Sequence, residues 1–235
     1  MVRSELVQRS PWRILESSTH GGLGKGNLGA IAARQGVGKT ACIVHLATDQ
    51  LLEGRQVIHV SFSASTTHIV DWYEDIFSEI AQKAGLENAM DVHDEIIRHR
   101  IIMNFNQQGV TLERVLGSVH SMIRDGHFGA DLVIVDGYDF TRIGPAELAE
   151  VRRFAGELGL EIWFSVSLGH EEPQCTSEGV PDMLTGVIGE FAILICLRAE
   201  ERHVRLQLIK DHDAIVTVPL HLELDPKTLL IAQEG

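Results

Sequence analysis

The sequence contains no apolar run approaching the roughly 18 residues that a membrane helix needs. Its opening stretch, MVRSELVQRSPWRILESS, has no apolar core of the kind that marks a secretory signal. Together these absences predict a cytoplasmic protein with no membrane association. Thiols are scarce: Cys42, Cys175 and Cys196 are the three cysteines, and no two form a CxxC spacing. Cys42 and Cys196 stand among apolar neighbours and are expected to be reduced core thiols. The twelve histidines form no HxH or HExxH pair, so they are expected on the surface or satisfied in the core. Basic residues are also in deficit, 20 against 33 acidic ones, giving a net charge of −13. That balance argues against binding duplex nucleic acid, which depends on neutralising phosphates with Lys and Arg.

What remains is an ordinary globular composition, 44% hydrophobic and 23% charged, over 235 residues. The length suits one α/β domain. Residues 1–27 read as an irregular lead-in ending in a glycine-rich turn, GGLGKGN, and residues 28–235 as the nucleotide-binding domain. Apolar runs at 28–33, 56–62, 100–105, 130–137 and 160–167 read as buried strands. Segments with helical spacing separate them, at 40–54, 66–84, 111–124 and 144–158. Alternating strands and helices predict a mostly parallel central sheet flanked by helices. Strand-like segments crowd the end of the chain, at 191–198, 203–209, 214–220 and 228–232, and predict an antiparallel C-terminal edge.

Two motifs carry chemistry. Ala33-Arg34-Gln35-Gly36-Val37-Gly38-Lys39-Thr40 fits a P-loop, with Ala33 where the strict pattern has Gly. Gly36 and Gly38 permit backbone conformations that aim N–H groups at phosphate oxygens, and the helix opening there adds its positive end. Residues Gln35, Gly36, Val37, Gly38, Lys39, Thr40 and Ala41 are therefore the candidate phosphate cradle. Lys39 can reach the β and γ phosphates, and Thr40 can offer its hydroxyl to Mg²⁺. The second motif is Leu132-Val133-Ile134-Val135-Asp136, four apolar residues ending in an acid. A parallel strand delivers its last side chain to the ligand edge of the sheet, so Asp136 is the second candidate for the magnesium site. The cofactors expected are ATP or ADP with Mg²⁺. Two predicted strands separate Lys39 from Asp136, which points to a RecA-type core.

On these residues the chain resembles the RecA-like ATPases, in the branch holding KaiC, the archaeal recombinase paralogues and the DnaB-type helicase motors. The likeness runs through ILESSTHGGLGKGNLGAIAARQGVGKTA (14–41), IWFSVSLGH (162–170) and FAILICLRAEERHVRLQLIKDHD (191–213). It implies a RecA-like P-loop fold, nucleotide binding and head-to-tail assembly. Three positions depart from the pattern. The branch places a catalytic glutamate after its second strand, where this chain has Ser63, with no acid between Ser61 and Val70. A polar sensor, often Gln, is replaced by Ser167. The Lys-x-Arg pair that reaches a neighbour's phosphates reads Lys210-Asp211-His212. Lys39 and Asp136, with Lys210 acting in trans, are the catalytic candidates the resemblance leaves. Asp71, Glu74 and Asp139 are substitutes for the missing acid, the first two on a predicted helix. Trp72 and Tyr73, on that helix, read as packing residues. The loop after residue 170, HEEPQCTSEGVPDML, has no Lys or Arg and is not expected to touch nucleic acid. The expectation is an ATP-binding regulatory or switch module with slow or absent hydrolysis, which an unidentified protein partner could read. The alternatives are an active recombination- or helicase-type motor and an interaction protein with a vestigial P-loop.

Overall fold

The apolar runs pair into one nine-stranded sheet whose order is β3-β2-β4-β5-β1-β6-β7-β8-β9 in a computed structural model of the chain. The structure describes residues 3–63 and 65–234; Met1, Val2, Ala64 and Gly235, at the ends of the expected segments and within the Ser63 stretch, lie outside the described residues. Strands β1 (Leu28–Ala33), β2 (Val57–Ser61), β3 (Arg100–Asn104), β4 (Leu132–Asp136), β5 (Glu161–Ser167) and β6 (Ile193–Ala199) run parallel. β1, β2 and β4 are buried along their whole length, which is why their sequences are continuous apolar runs rather than alternating ones. Strands β7 (Val204–Asp211), β8 (Ala214–Leu224) and β9 (Ile231–Gln233) follow antiparallel to β6 and to one another. The expected antiparallel edge therefore begins one strand later than the sequence suggested, since β6 lies parallel beside β1.

Helices cover both faces. Helices α3 (Lys39–Leu52), α4 (Thr66–Ala84) and α5 (Ala89–Arg98) lie over one apolar cluster. Helices α6 (Leu112–Arg124) and α7 (Pro145–Leu158) cover the other. Ser65 caps α4 and Thr111 caps α6 through side-chain oxygens that accept backbone N–H groups, while Pro145 opens α7 and Gly159 closes it in the left-handed region. At the sheet centre Gly29 is required by contact: a Cβ there would sit 2.6 Å from the Trp163 indole on β5.

The lead-in is a correction. Residues expected to be irregular form α1 (Arg3–Gln8) and α2 (Trp12–Ser18). Leu6, Trp12 and Leu15 are buried in the same cluster as α3. The Arg13 guanidinium donates to Asp49 on α3 at 2.6 Å, pairing a carboxylate that is 2% exposed. Burial of an acid requires such a partner, so the ion pair fixes how α2 sits on α3.

Candidate functional site

The loop joining β1 to α3 ends at the edge of the sheet where the parallel strands finish. Gly36 (φ 81°) and Gly38 (φ 107°) occupy backbone conformations that L side chains rarely adopt. At Gly38 space forbids a side chain as well, since a Cβ would lie 2.6 Å from Leu224 Cδ2. Gln35 N–H donates to the Gly169 carbonyl at 2.8 Å, tying the loop to the segment after β5. Arg34, at the loop's start, pairs with Glu172 at 3.2 Å. Lys39 folds back over the loop, and its ammonium donates to the Ala33 and Arg34 carbonyls at 3.2 and 2.9 Å. Two of its three protons are thus engaged. Burial lowers the Lys39 pKa from the ordinary lysine value, and the nearby Asp136 carboxylate opposes that shift.

Sheet register brings the second motif to the same place. Asp136 ends β4, flanked by Ser61 on β2 and Ser165 on β5. The Thr40 hydroxyl, at the start of α3, donates to Asp136 Oδ2 at 3.2 Å. The Ser165 hydroxyl donates to Asp136 Oδ1 and accepts the Gly137 N–H at 2.9 Å. Ser167, expected at the end of the strand after the Asp136 strand, ends β5 opposite Ala33 and lines the same cavity, while Ser165, which the sequence did not single out, makes the contact with Asp136. The donors gathered here are a carboxylate and two hydroxyls. All are oxygens, the set that suits a hard cation such as Mg²⁺, so the residues fit the expected group.

Behind Asp136 lies a buried polar chain that sequence reasoning missed. His59, in the middle of β2, is fully buried, and its Nδ1 faces the Tyr73 hydroxyl at 3.0 Å. The other ring nitrogen, Nε2, has no hydrogen-bond partner among the described residues and lies 4.0 Å from Asp136 Oδ2. Burial pushes the His59 pKa down to about 4, against the pull of Asp136. The ring is therefore neutral near pH 7. Arg100 of β3 sits 4.2 Å above the Tyr73 ring. The signal in the sequence was a histidine inside an otherwise apolar strand, VIHVS.

A cavity of about 560 Å³ opens over these groups. It is lined by the loop from Gln35 to Ala41, by Asp136, Ser165 and Ser167, and by Ser63 after β2. Its apolar walls come from Ile69 and Trp72 of α4 and from Val204, Leu224, Pro226 and Leu229 of the antiparallel edge. Trp72, expected to serve packing, thus faces the cavity as well, with its indole N–H donating to His68 at 3.2 Å. Among the described lining residues Asp136 is the one carboxylate. Ser63 stands where an acid would be sought; its hydroxyl donates to the Ser65 carbonyl at 2.7 Å. Compared with known proteins, the chain matches no family model and no curated protein. The site is therefore read from its own geometry.

The remaining candidates lie elsewhere. Asp71 is exposed on α4, and Glu74 is engaged with His93. Asp139 caps a short helical turn by accepting from Thr141 N–H and hydroxyl at 3.0 and 2.7 Å. It borders an adjoining cavity of about 260 Å³ that also contacts Lys39 and Ser165. Lys210, on β7, is 8% exposed, and its ammonium donates to the Ile188 carbonyl of the same chain at 2.8 Å. It does not line the cavity over the glycine loop. No described helix is long and apolar enough to cross a membrane. Cys42 and Cys196 are free and buried, and burial raises both thiol pKa values, that of Cys196 to about 12.

Proposed function

We propose that the chain is an ATP-binding switch of RecA/KaiC-like type that hydrolyses its nucleotide slowly or not at all. One observation carries this reading: Lys39, Thr40 and Asp136 meet in a cavity where Asp136 is the sole described carboxylate. The glycine loop and the α3 N-terminus supply N–H groups for phosphate oxygens. Lys39 keeps a proton for a terminal phosphate. Thr40 and Asp136 would hold Mg²⁺, which supplies charge neutralisation to the phosphates when bound. The apolar wall from Val204, Leu224 and Pro226 offers a surface for the base. Hydrolysis asks for more, namely a group that orients the attacking water and a cation that stabilises the transition state. Asp136 is occupied by Thr40 and Ser165, and Ser63 has no charge to offer.

The binding half is tested by calorimetry with ATP and Mg²⁺. Lys39→Ala removes a charge-assisted contact worth about 1.5–3 kcal/mol, a roughly tenfold to hundredfold loss of affinity. Equal affinity of the two proteins overturns the reading. The chemical half is tested by steady-state phosphate release. A Lys39-dependent rate below about 1 s⁻¹ is expected, rising in Ser63→Glu. The second reading, an active motor, draws on Asp139 at the adjoining cavity. It gains if wild type turns over quickly and Asp139→Asn abolishes that turnover. Head-to-tail association through Lys210 belongs to the same proposal and requires the ammonium to leave the Ile188 carbonyl. Sedimentation of a strict monomer with and without an ATP analogue removes it.

A further inference from the structure

The two ends of the chain meet at a group of side chains that the nucleotide reading does not use. His20 follows α2, and Asp211 and His212 form the corner between β7 and β8. Asp211 Oδ2 lies 2.7 Å from His20 Nδ1, and Oδ1 lies 2.7 Å from His212 Nδ1. One ligand atom from each residue falls within 4.8 Å of the others. The two imidazoles stand nearly perpendicular, at 88°, with ring centres 6.4 Å apart.

The carboxylate is the unusual member. The Asp211 side chain is 5% exposed, yet among the described residues its ion-pair partners are these two imidazoles, with no Lys or Arg. A buried carboxylate is stabilised by a paired cation or a coordinated metal, and no permanently charged side chain fills that place among the described residues. The surroundings hold the group in place. Asp211 is paired to Ile193 on β6 and to Ala214 on β8. On the other side the Thr19 hydroxyl donates to Leu15 at 2.6 Å, and Gly21 N–H donates to Glu16 at 2.8 Å, closing the turn that carries His20. The His20 ring is 84% exposed, so it can turn to admit an ion, and the site has a face open to solvent.

We propose that His20, Asp211 and His212 form a binding site for a transition-metal dication of the zinc class. Two imidazole nitrogens with one carboxylate select Zn²⁺ or Co²⁺ over Mg²⁺, which prefers oxygen. Three protein ligands leave a fourth position on the exposed side for water. The ion supplies the charge the buried carboxylate lacks. It also joins the N-terminal lead-in to the C-terminal hairpin across 191 residues of chain, so binding favours the folded state. None of the three residues lines the cavity over the glycine loop, so the two sites can be tested separately.

The test titrates the full chain with Co²⁺, followed by its visible absorption, and with Zn²⁺, followed by melting temperature. One equivalent of Co²⁺ bound through nitrogen, not displaced by millimolar Mg²⁺, and a higher Tm with Zn²⁺ are expected. His20→Gln changes an exposed side chain and leaves the fold intact. It and His212→Asn, which suits the left-handed backbone at that turn (φ 51°), should each weaken uptake. The loss should exceed the roughly tenfold that removal of an outer partner costs a metal site. Lys39→Ala should keep full uptake while losing nucleotide, which separates this site from the phosphate cradle. Substoichiometric Co²⁺ in the wild type overturns the proposal. So does unchanged uptake in the double variant, which would place the ion on other histidines such as His93 or His203.

Discussion

The parallel strands and the antiparallel edge handle polar side chains in opposite ways. In β1, β2 and β4 every residue is buried, and the polar ones take partners from inside the protein, with His59 Nε2 left over among the described residues. His59 faces Tyr73, and Asp136 is bonded by Ser165 and Thr40. Along β8 buried and exposed positions intermix, and polar groups pair across the edge in contact with water, as Arg198 does with Gln207 and Arg205 with Glu234. A polar residue at an exposed position of the edge costs little and carries little information, unlike the buried Asp211. The same residue within the parallel strands must be desolvated and partnered, so its presence there points to chemistry.

The sharpest way to probe this contrast is to remove a core aromatic. Phe164 on β5 is fully buried and meets Phe140 and Phe191 edge-on, with ring centres 5.4 and 6.2 Å away. Phe164→Ala should cost about 3–5 kcal/mol in urea unfolding; a loss under about 1 kcal/mol would mean that the strand is less rigidly enclosed than its burial indicates.

Acid should act next most strongly, at the seam between α3 and the edge. His45 is buried on α3, and its Nδ1 accepts the Ile231 N–H of β9 at 2.9 Å. Burial, helped by Lys83, lowers its pKa from 6.5 to about 4. The unfolded chain takes up this proton near pH 6.5 and the folded chain only near 4. The stability it contributes is therefore fully present above pH 6.5 and is lost as pH falls towards 4, about 3 kcal/mol in all. Unfolding free energies of His45→Gln across that window should fall less steeply than those of wild type.

The glycine loop offers a smaller effect on stability. Gly38→Ala introduces a Cβ 2.6 Å from Leu224 at φ 107°, a strain of about 1–3 kcal/mol. It should lower the melting temperature and weaken nucleotide binding together; a variant with unchanged Tm would show that Leu224 yields easily. The edge should respond least. Arg205→Ala breaks pairs with Glu200 and Glu234 in a side chain that is 41% exposed, and should cost under about 1 kcal/mol. A larger loss in thermal unfolding would show the edge to be as tightly coupled as the parallel strands.

The contrast also explains what could be read from the sequence. The α/β class with its mostly parallel sheet, the glycine loop between β1 and α3, and the place of Asp136 at a strand end were legible because continuous apolar runs and a strand–loop–helix succession are local signals. Helices α1 and α2 were not, since six and seven residues are too few to display a helical period, and Trp12 and Leu15 owe their burial to a cluster whose other members lie far along the chain. β8 was expected to stop near 220 but continues to Leu224; Pro219 interrupts the pattern, while Leu222 and Leu224 return to the core. Ser165 and His59 became visible as neighbours of Asp136 only once register was known, because residues 29 and 77 positions away in sequence supply them. The histidines at 20 and 212 form no local motif at all; only the closing of the sheet brings them together.

That closing has a consequence for the order in which the protein can assemble. β1 is made early, at residues 28–33, but sits between β5 and β6, which end at residues 167 and 199. On a ribosome, its two flanks stay unpaired until most of the chain has been synthesised. The glycine loop attached to it has no finished sheet edge to stand on before then. Contacts so distant in sequence make for slow folding and long exposure of an apolar strand. Among the strands, the nascent chain can first pair β2 with β3 and β4 as a parallel trio, and it completes the cavity under the glycine loop only when β1 slots in beside β5.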